Sequence, residues 1–340
     1  MQQDLEPGDS LVLARMLFNS GANEINKGNG DLAAERFQQS LGLLETMPQS
    51  DDVLDASGTV KYNYGVLLYR SGLYDEAESM LSEAADIYKD LVESRDTLQN
   101  RSAYVQTLSI LAACLTDAGK YDDADHYYDL AIRAAEVLAA DQENLYYQHT
   151  LAELYNNRGL SRNIRGDYKT ADTYYAKASE AYGKIFARTG SESDRANYAV
   201  SLLNTGENAF KARDYKRSEE FFSKGLNEYR QAVPALGTYD EAQYYAWKSY
   251  YELIHKRDFD SALASGAAAY ALQPDNILVK MNYAYALLYS GLYEKSDAFL
   301  KEIASSGLGE ADTIKLDIEA QKASGLTDGH QDVILGWLGS

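Results

Sequence analysis

Cysteine is almost missing from this sequence. Cys114 stands alone, which excludes an intrachain disulfide and any metal site built on clustered thiolates. It lies in the apolar helical run Leu108 to Leu115, where a lone thiol is expected to fill core volume as a small hydrophobe. Proline is scarce too, with only Pro7, Pro48, Pro234 and Pro274, so long stretches are free of the residue that breaks helices. Positive charge is in short supply: 32 Lys and Arg face 52 Asp and Glu, a formal charge of −20. That balance argues against nucleic acid and anionic membranes as general partners. The deficit is uneven, with 18 acids against 7 bases in residues 1–100 and 14 against 11 in residues 101–200. No run approaches the eighteen or more apolar residues of a membrane span, and there is no signal-peptide core. The start Met-Gln-Gln-Asp, close to the first helix, fits a cytoplasmic protein or an exported one after signal removal, so the compartment stays open.

The chemistry of common active sites is also lacking. His126, His149, His255 and His330 are scattered and form no zinc-type pair around an acid. The glycines of KGNGD and RSGLYDE follow no strand signal, as a phosphate-binding loop would require. Acid pairs such as Asp51–Asp52 and Asp122–Asp123 stand where helices begin, and their expected role is to meet the helix N-terminus. No cofactor, metal or catalytic residue is expected.

What the chain has in plenty is tyrosine, 29 against 8 phenylalanines, and a repeat. GNGDLAAERFQQSL (28–41), GLYDEAESMLSEAA (72–85), GKYDDADHYYDLAI (119–132) and GDYKTADTYYAKAS (166–179) share one pattern. RDYKRSEEFFSKGL (213–226), RDFDSALASGAAAY (257–270) and GLYEKSDAFLKEIA (291–304) continue it. The opening position is Gly except at Arg213 and Arg257, as expected where a helix ends in the left-handed conformation. An aromatic usually follows, then a small residue (Ala33, Ala77, Ala124, Ala171, Ser218, Ala262, Ser296), then usually a large one. Spacings of three and four place these on one helical face. One helix earlier, in register, come Gly21, Gly65, Ala112, Gly159, Gly206, Tyr250 and Ala284. A glycine inside a helix costs about 1 kcal/mol relative to Ala, so its recurrence points to closely packed helix pairs.

This pattern resembles the tetratricopeptide repeat (TPR) family over residues 10–305. The resemblance implies an all-α, right-handed superhelix of about seven helix pairs, preceded by a tail over 1–9. Residues 306–340 are expected to form a capping helix and an amphipathic tail. Successive repeats start 44, 47, 47, 47, 44 and 34 residues apart, and only the last matches the usual family length. The additional residues keep helical periodicity, which predicts lengthened helices of about 20 residues, about 30 Å long.

The resemblance also implies a binding surface on the first helix of each pair, lining a concave groove. On that geometry the candidates are Asn157, Arg158 and Arg162, then Asn204 and Phe210, then Tyr244, Trp247, Tyr251, Met281, Tyr285 and Tyr289. The aromatics have the character of binding hot spots, although lengthened helices would also bury such rings against neighbouring repeats. Asparagines at one first-helix position (Asn19, Asn63, Asn157, Asn204, Asn282) suit either a peptide backbone or internal bonding. Arg158 and Arg162 replace apolar residues on one face, and either pair internally or offer an anion site. The expected function is a non-enzymatic scaffold that binds a protein or peptide. Alternatives are a glycan-binding protein using the same aromatics, or a repeat that self-assembles into homo-oligomers through its terminal faces.

Overall fold

A computed structural model describes residues 7–140, 143–306 and 310–339. The chain divides into two compact units, Met1–Asp141 and Gln142–Ser340. The N-terminal unit contains three antiparallel hairpins: α1 (Pro7–Asn26) with α2 (Gly30–Glu45), α3 (Asp51–Arg70) with α4 (Tyr74–Ser94), and α5 (Leu98–Asp117) with α6 (Tyr121–Ala139). In the C-terminal unit α7 (Leu145–Ile164) pairs with α8 (Tyr168–Thr189), and α9 (Glu192–Lys211) with α10 (Tyr215–Ala232). Two shorter pairs follow: α11 (Thr238–Tyr251) with α12 (Phe259–Leu272), and α13 (Ile277–Tyr289) with α14 (Tyr293–Ala304). The helices α15 (Glu310–Ala323) and α16 (His330–Leu338) come last. The seven hairpins coincide with the seven repeats, and the fold is all-α among the described residues.

The long repeat period is helix, not loop: α3 to α10 run 18 to 22 residues each, whereas α11 to α14 run 12 to 14. Their starts are fixed locally. Ser50, Asp167, Asp214, Asp258 and Asn276 each accept a bond from a backbone N–H in the first turn of the helix they precede. The hairpin turns are left-handed in every repeat with a glycine opening, for example φ 80° at Gly166. Arg213 and Arg257 adopt the same conformation, at φ 67° and 54°. The turn thus demands this backbone even where a side chain makes it cost about 1–2 kcal/mol.

Within a hairpin, the two helices approach until one residue has no room for a side chain. A Cβ on Gly206 would lie 2.9 Å from Phe222 Cδ2, and one on Gly159 2.8 Å from Tyr175. The α11/α12 hairpin keeps this contact by another route. Its small position falls on Tyr250, which could not fit there. A five-residue π turn, Glu252–Lys256, ends α11 and takes up one more residue than an α-helix would. Ser249 therefore faces α12, its hydroxyl donating to Ala262 O at 2.7 Å, and Tyr250 turns into the unit's core beside Phe210, Phe222 and Tyr285. The same turn holds His255 between Phe210 and Phe222, with its Nε2 2.9 Å from Ser218 Oγ. Cys114 is buried in the N-terminal unit as expected, and burial pushes its thiol up to about 12.

Two outcomes test this packing. Gly206→Ala should destabilise the chain by about 1–3 kcal/mol through overpacking against Phe222, while Gly42→Ala, whose Cβ would meet nothing within 4 Å, should stabilise it by about 0.5 kcal/mol; urea unfolding followed by circular dichroism reads both. Burial lowers His255 from 6.5 to about 4, so it stays neutral when folded and takes up a proton first in the unfolded chain. Its contribution is present above pH 6.5 and lost as pH falls toward 4. His255→Gln should flatten stability against pH across that window by about 1–2 kcal/mol, a value reduced for its partial exposure.

Candidate functional site

The first helices of the C-terminal unit, α7, α9, α11 and α13, form one wall, and polar side chains tie neighbouring helices along it. Asn204 on α9 donates its amide to Asn156 Oδ1 on α7 at 2.9 Å. Seven residues further along both helices, Lys211 donates to Asn163 Oδ1 at 3.2 Å. On α13, Asn282 donates to Ala246 O on α11 at 3.1 Å. Two turns of helix, about 10 Å, separate the first two bridges and divide the wall into an open end and a covered end.

At the open end a cavity of about 230 Å³ is lined by Asn156, Asn197, Ser201, Asp240 and Gln243, with Tyr182, Tyr229 and Tyr239. Tyr229 donates to Asp240 at 3.3 Å, and burial together with that carboxylate holds its hydroxyl well above the usual tyrosine range. The cavity therefore presents amides and neutral hydroxyls, groups that both donate and accept, together with the Asp240 carboxylate.

At the covered end α15 lies across the wall. Its buried residues are Ile314, Asp317, Ile318, Ala320 and Gln321, of which Ile314, Asp317, Ile318 and Gln321 are spaced three, one and three apart along one helical face. Asp317 Oδ1 sits 2.8 Å from Lys211 Nζ, and Asp317 Oδ2 accepts from the Tyr285 hydroxyl at 2.9 Å. Tyr289 donates to Gln321 Oε1 at 2.8 Å and accepts from Gln331 of α16. Lys211 has a second carboxylate, Glu207 at 2.9 Å on its own helix. Burial alone would depress the Lys211 ammonium, but Asp317 and Glu207 outweigh it and hold it well above the ordinary lysine value. Burial, then Asp317, raises Tyr285 in turn, so it stays a neutral donor.

The residues expected from the sequence are distributed differently from an open aromatic groove. Phe210, Trp247, Met281, Tyr285 and Tyr289 are buried in the unit's core, where lengthened helices and α15 enclose them. Tyr244 packs edge-on against Tyr229, and Tyr251 lies 6.1 Å from Phe222, so both are turned toward α10. Arg158 is buried with its guanidinium 5.5 Å from the Tyr174 ring centre, and Arg162 lies 3.3 Å from Asp167. Both arginines have internal partners. Asn157 is half-buried on α7, one residue from the bridging Asn156. Glu207 is a groove-side position on the family geometry, whereas Lys211, Gln243 and Asp317 stand outside the repeat pattern. Their signal was faint: a lysine closing a first helix, and a polar pair inside the stripe of a C-terminal helix. The two arginine turns mark the same place, because Arg257 donates to Ser324 O at 2.9 Å just beyond α15, and Arg213 lines a cavity beneath it.

In the N-terminal unit, Phe18 stacks on Phe37 and lines a separate cavity of about 250 Å³ with Arg15, Asn19, Asp55 and Thr59. No helix among the described residues is long and apolar enough to cross a membrane.

No protein-family model matches the chain, and no curated protein matches it. Solved structures do match. One is aspartyl phosphate phosphatase F from Bacillus subtilis, with a TM-score of 0.62 and 16% identity over 88% of this chain and 71% of that one. Another is the Rap conjugation gene regulator of the plasmid pLS20 in complex with the Phr* peptide (0.52, 20%, 94% and 80%). A third is a tetratricopeptide repeat protein from Parabacteroides merdae (0.51, 16%, 89% and 98%). These likenesses establish a TPR-like helical-repeat fold.

The charge arrangement at the covered end generates an asymmetric expectation. Lys211→Met leaves two carboxylates facing each other and should destabilise the chain by about 3 kcal/mol. Asp317→Asn leaves Lys211 paired with Glu207 and should cost clearly less. Urea unfolding of the two variants gives the order.

Proposed function

We propose that the first-helix wall of the C-terminal unit binds a peptide or protein segment and that the chain acts as a non-enzymatic scaffold. The observation that carries this is the amide-lined cavity at the open end of the wall. A peptide backbone offers alternating donors and acceptors whatever its side chains. Asn156, Asn197 and Gln243 can match both with little dependence on sequence. Tyr182 and Tyr239, which also line the cavity, add broad contact area with a polar tip, the residue type that dominates protein-binding sites. Asn204, already bonded to Asn156, holds the two amides in a fixed orientation, which lowers the ordering cost of binding. A neighbour of the same fold, the pLS20 regulator, was solved with a peptide, which is in keeping with this reading.

Selection of random peptides on the full chain tests it. Asn204→Ala and Gln243→Ala should each weaken the selected peptides by about tenfold, the loss of one or two hydrogen bonds. Binding untouched by both substitutions would move the site elsewhere, and failure to select any peptide would reject the reading.

A further inference from the structure

The covered end of the wall already holds a helix, and three features of that seat set it apart from ordinary core packing. First, two of the five buried residues of α15 are polar: Asp317 and Gln321 stand among Ile314, Ile318 and Ala320. An obligate contact is more apolar than this, whereas an interface that must also exist apart keeps polar groups. Second, neither side strands a charge on separation. Lys211 keeps Glu207 at 2.9 Å and Asn163 at 3.2 Å, and Asp317 returns to water. The hydroxyls of Tyr285 and Tyr289 sit at the tips of rings whose bodies belong to the wall, so water can replace α15 as their partner. Third, the edge of the seat is open. A solvent-open cleft of about 290 Å³ runs beside it, lined by Tyr168, Lys211 and Arg213 on one side and Leu316, Glu319 and Ala323 on the other. Beyond α15, α16 has attachments of its own to α14: His330 Nε2 lies 2.9 Å from Asp297, and Lys301 covers the Trp337 ring. Unseating α15 therefore leaves these attachments of α16 in place.

We propose that α15 is a displaceable occupant of the wall, and that the partner it holds off is an amphipathic helical segment presenting a carboxylate to Lys211 between branched aliphatic residues. The order Ile-x-x-Asp-Ile-x-x-Gln in α15 is the recognition pattern. The carboxylate meets Lys211 and Tyr285, the aliphatic residues enter the apolar cluster that includes Ile314 and Ile318, and the amide meets Tyr289. A partner helix of this chemistry competes with α15 for the same groups, so its apparent affinity is reduced by the fraction of chains with α15 seated. The inference rests on the reading that this wall takes peptides, and it adds what they must carry at the covered end.

The test uses a fluorescent 14-residue peptide with the sequence of residues 310–323, and the same peptide with Asp317→Asn. Each is titrated into the full chain and into a full chain whose own α15 is loosened by Ile314→Asp and Ile318→Asp. The loosened chain should bind the natural peptide at least tenfold tighter than the unmodified chain does, and should bind the Asp317→Asn peptide at least tenfold more weakly. Equal binding of the two peptides, or none, overturns the proposal. Since the double substitution could impair folding, hydrogen exchange on the unmodified chain provides a second reading. Amides of α15 should exchange at least tenfold faster than those of α9 and α13, and exchange in step with those helices overturns the proposal. If random peptides bind through Asn204 and Gln243 while α15 stays locked, this inference alone fails. If α15 opens but no peptide of either kind binds, both readings fail.

Discussion

An ammonium group taken out of water must be met by carboxylates and dipoles, and Lys211 imposes that condition on the whole C-terminal unit. It closes α9 at a depth where burial would strip its charge. Glu207, Asn163 and Asp317 keep the charge in place, so three helices, α7, α9 and α15, are held in register by one nitrogen. The rings around it follow from the same demand. Tyr285 supplies a hydroxyl to the far oxygen of Asp317, and Tyr250 is brought into that neighbourhood by the π turn that lengthens α11. A burial this polar adds little net stability compared with an apolar core of the same volume. It specifies where α15 sits.

The hairpins beneath obey a different constraint, the lack of room between paired helices. It repeats, and so it was readable. Gly65, Gly159 and Gly206 in one helix against Leu81, Tyr175 and Phe222 in the next recur because each pair solves the same steric problem. Lengthened helices were readable for a similar reason, since the residues beyond the usual repeat keep apolar spacing and lack proline. Tyr250, in a column otherwise filled by Gly or Ala, was visible as a departure. Its resolution was not, because a π turn depends on one hydrogen-bond register that no residue type announces.

The wall was harder to read than the hairpins. A repeat column shows what neighbouring units share, whereas Lys211, Gln243 and Asp317 are each particular to one place. The aromatics looked like a surface because family geometry puts their positions on the groove side. Instead Trp247, Met281 and Tyr285 are enclosed, and one residue of rotation along α11 turns Tyr244 and Tyr251 toward α10. The asparagines recur at one first-helix position, and of the two uses this suits, internal bonding is what Asn204 and Asn282 display. The partner of Lys211 lies 106 residues away in the chain, a separation over which spacing carries no information.

The position of α15 in the chain has a consequence for how the molecule is made. Synthesis runs from α7 toward α14 before α15 exists, and hairpins built on local contacts fold as they emerge. At about 5–20 residues per second, the wall stands uncovered for seconds on the ribosome. During that interval Glu207, on the wall's own helix α9, stays bonded to Lys211 and keeps the nascent surface from carrying an isolated charge. The wall thus has a first existence without its own helix, when a partner present at the site of translation would meet no competitor.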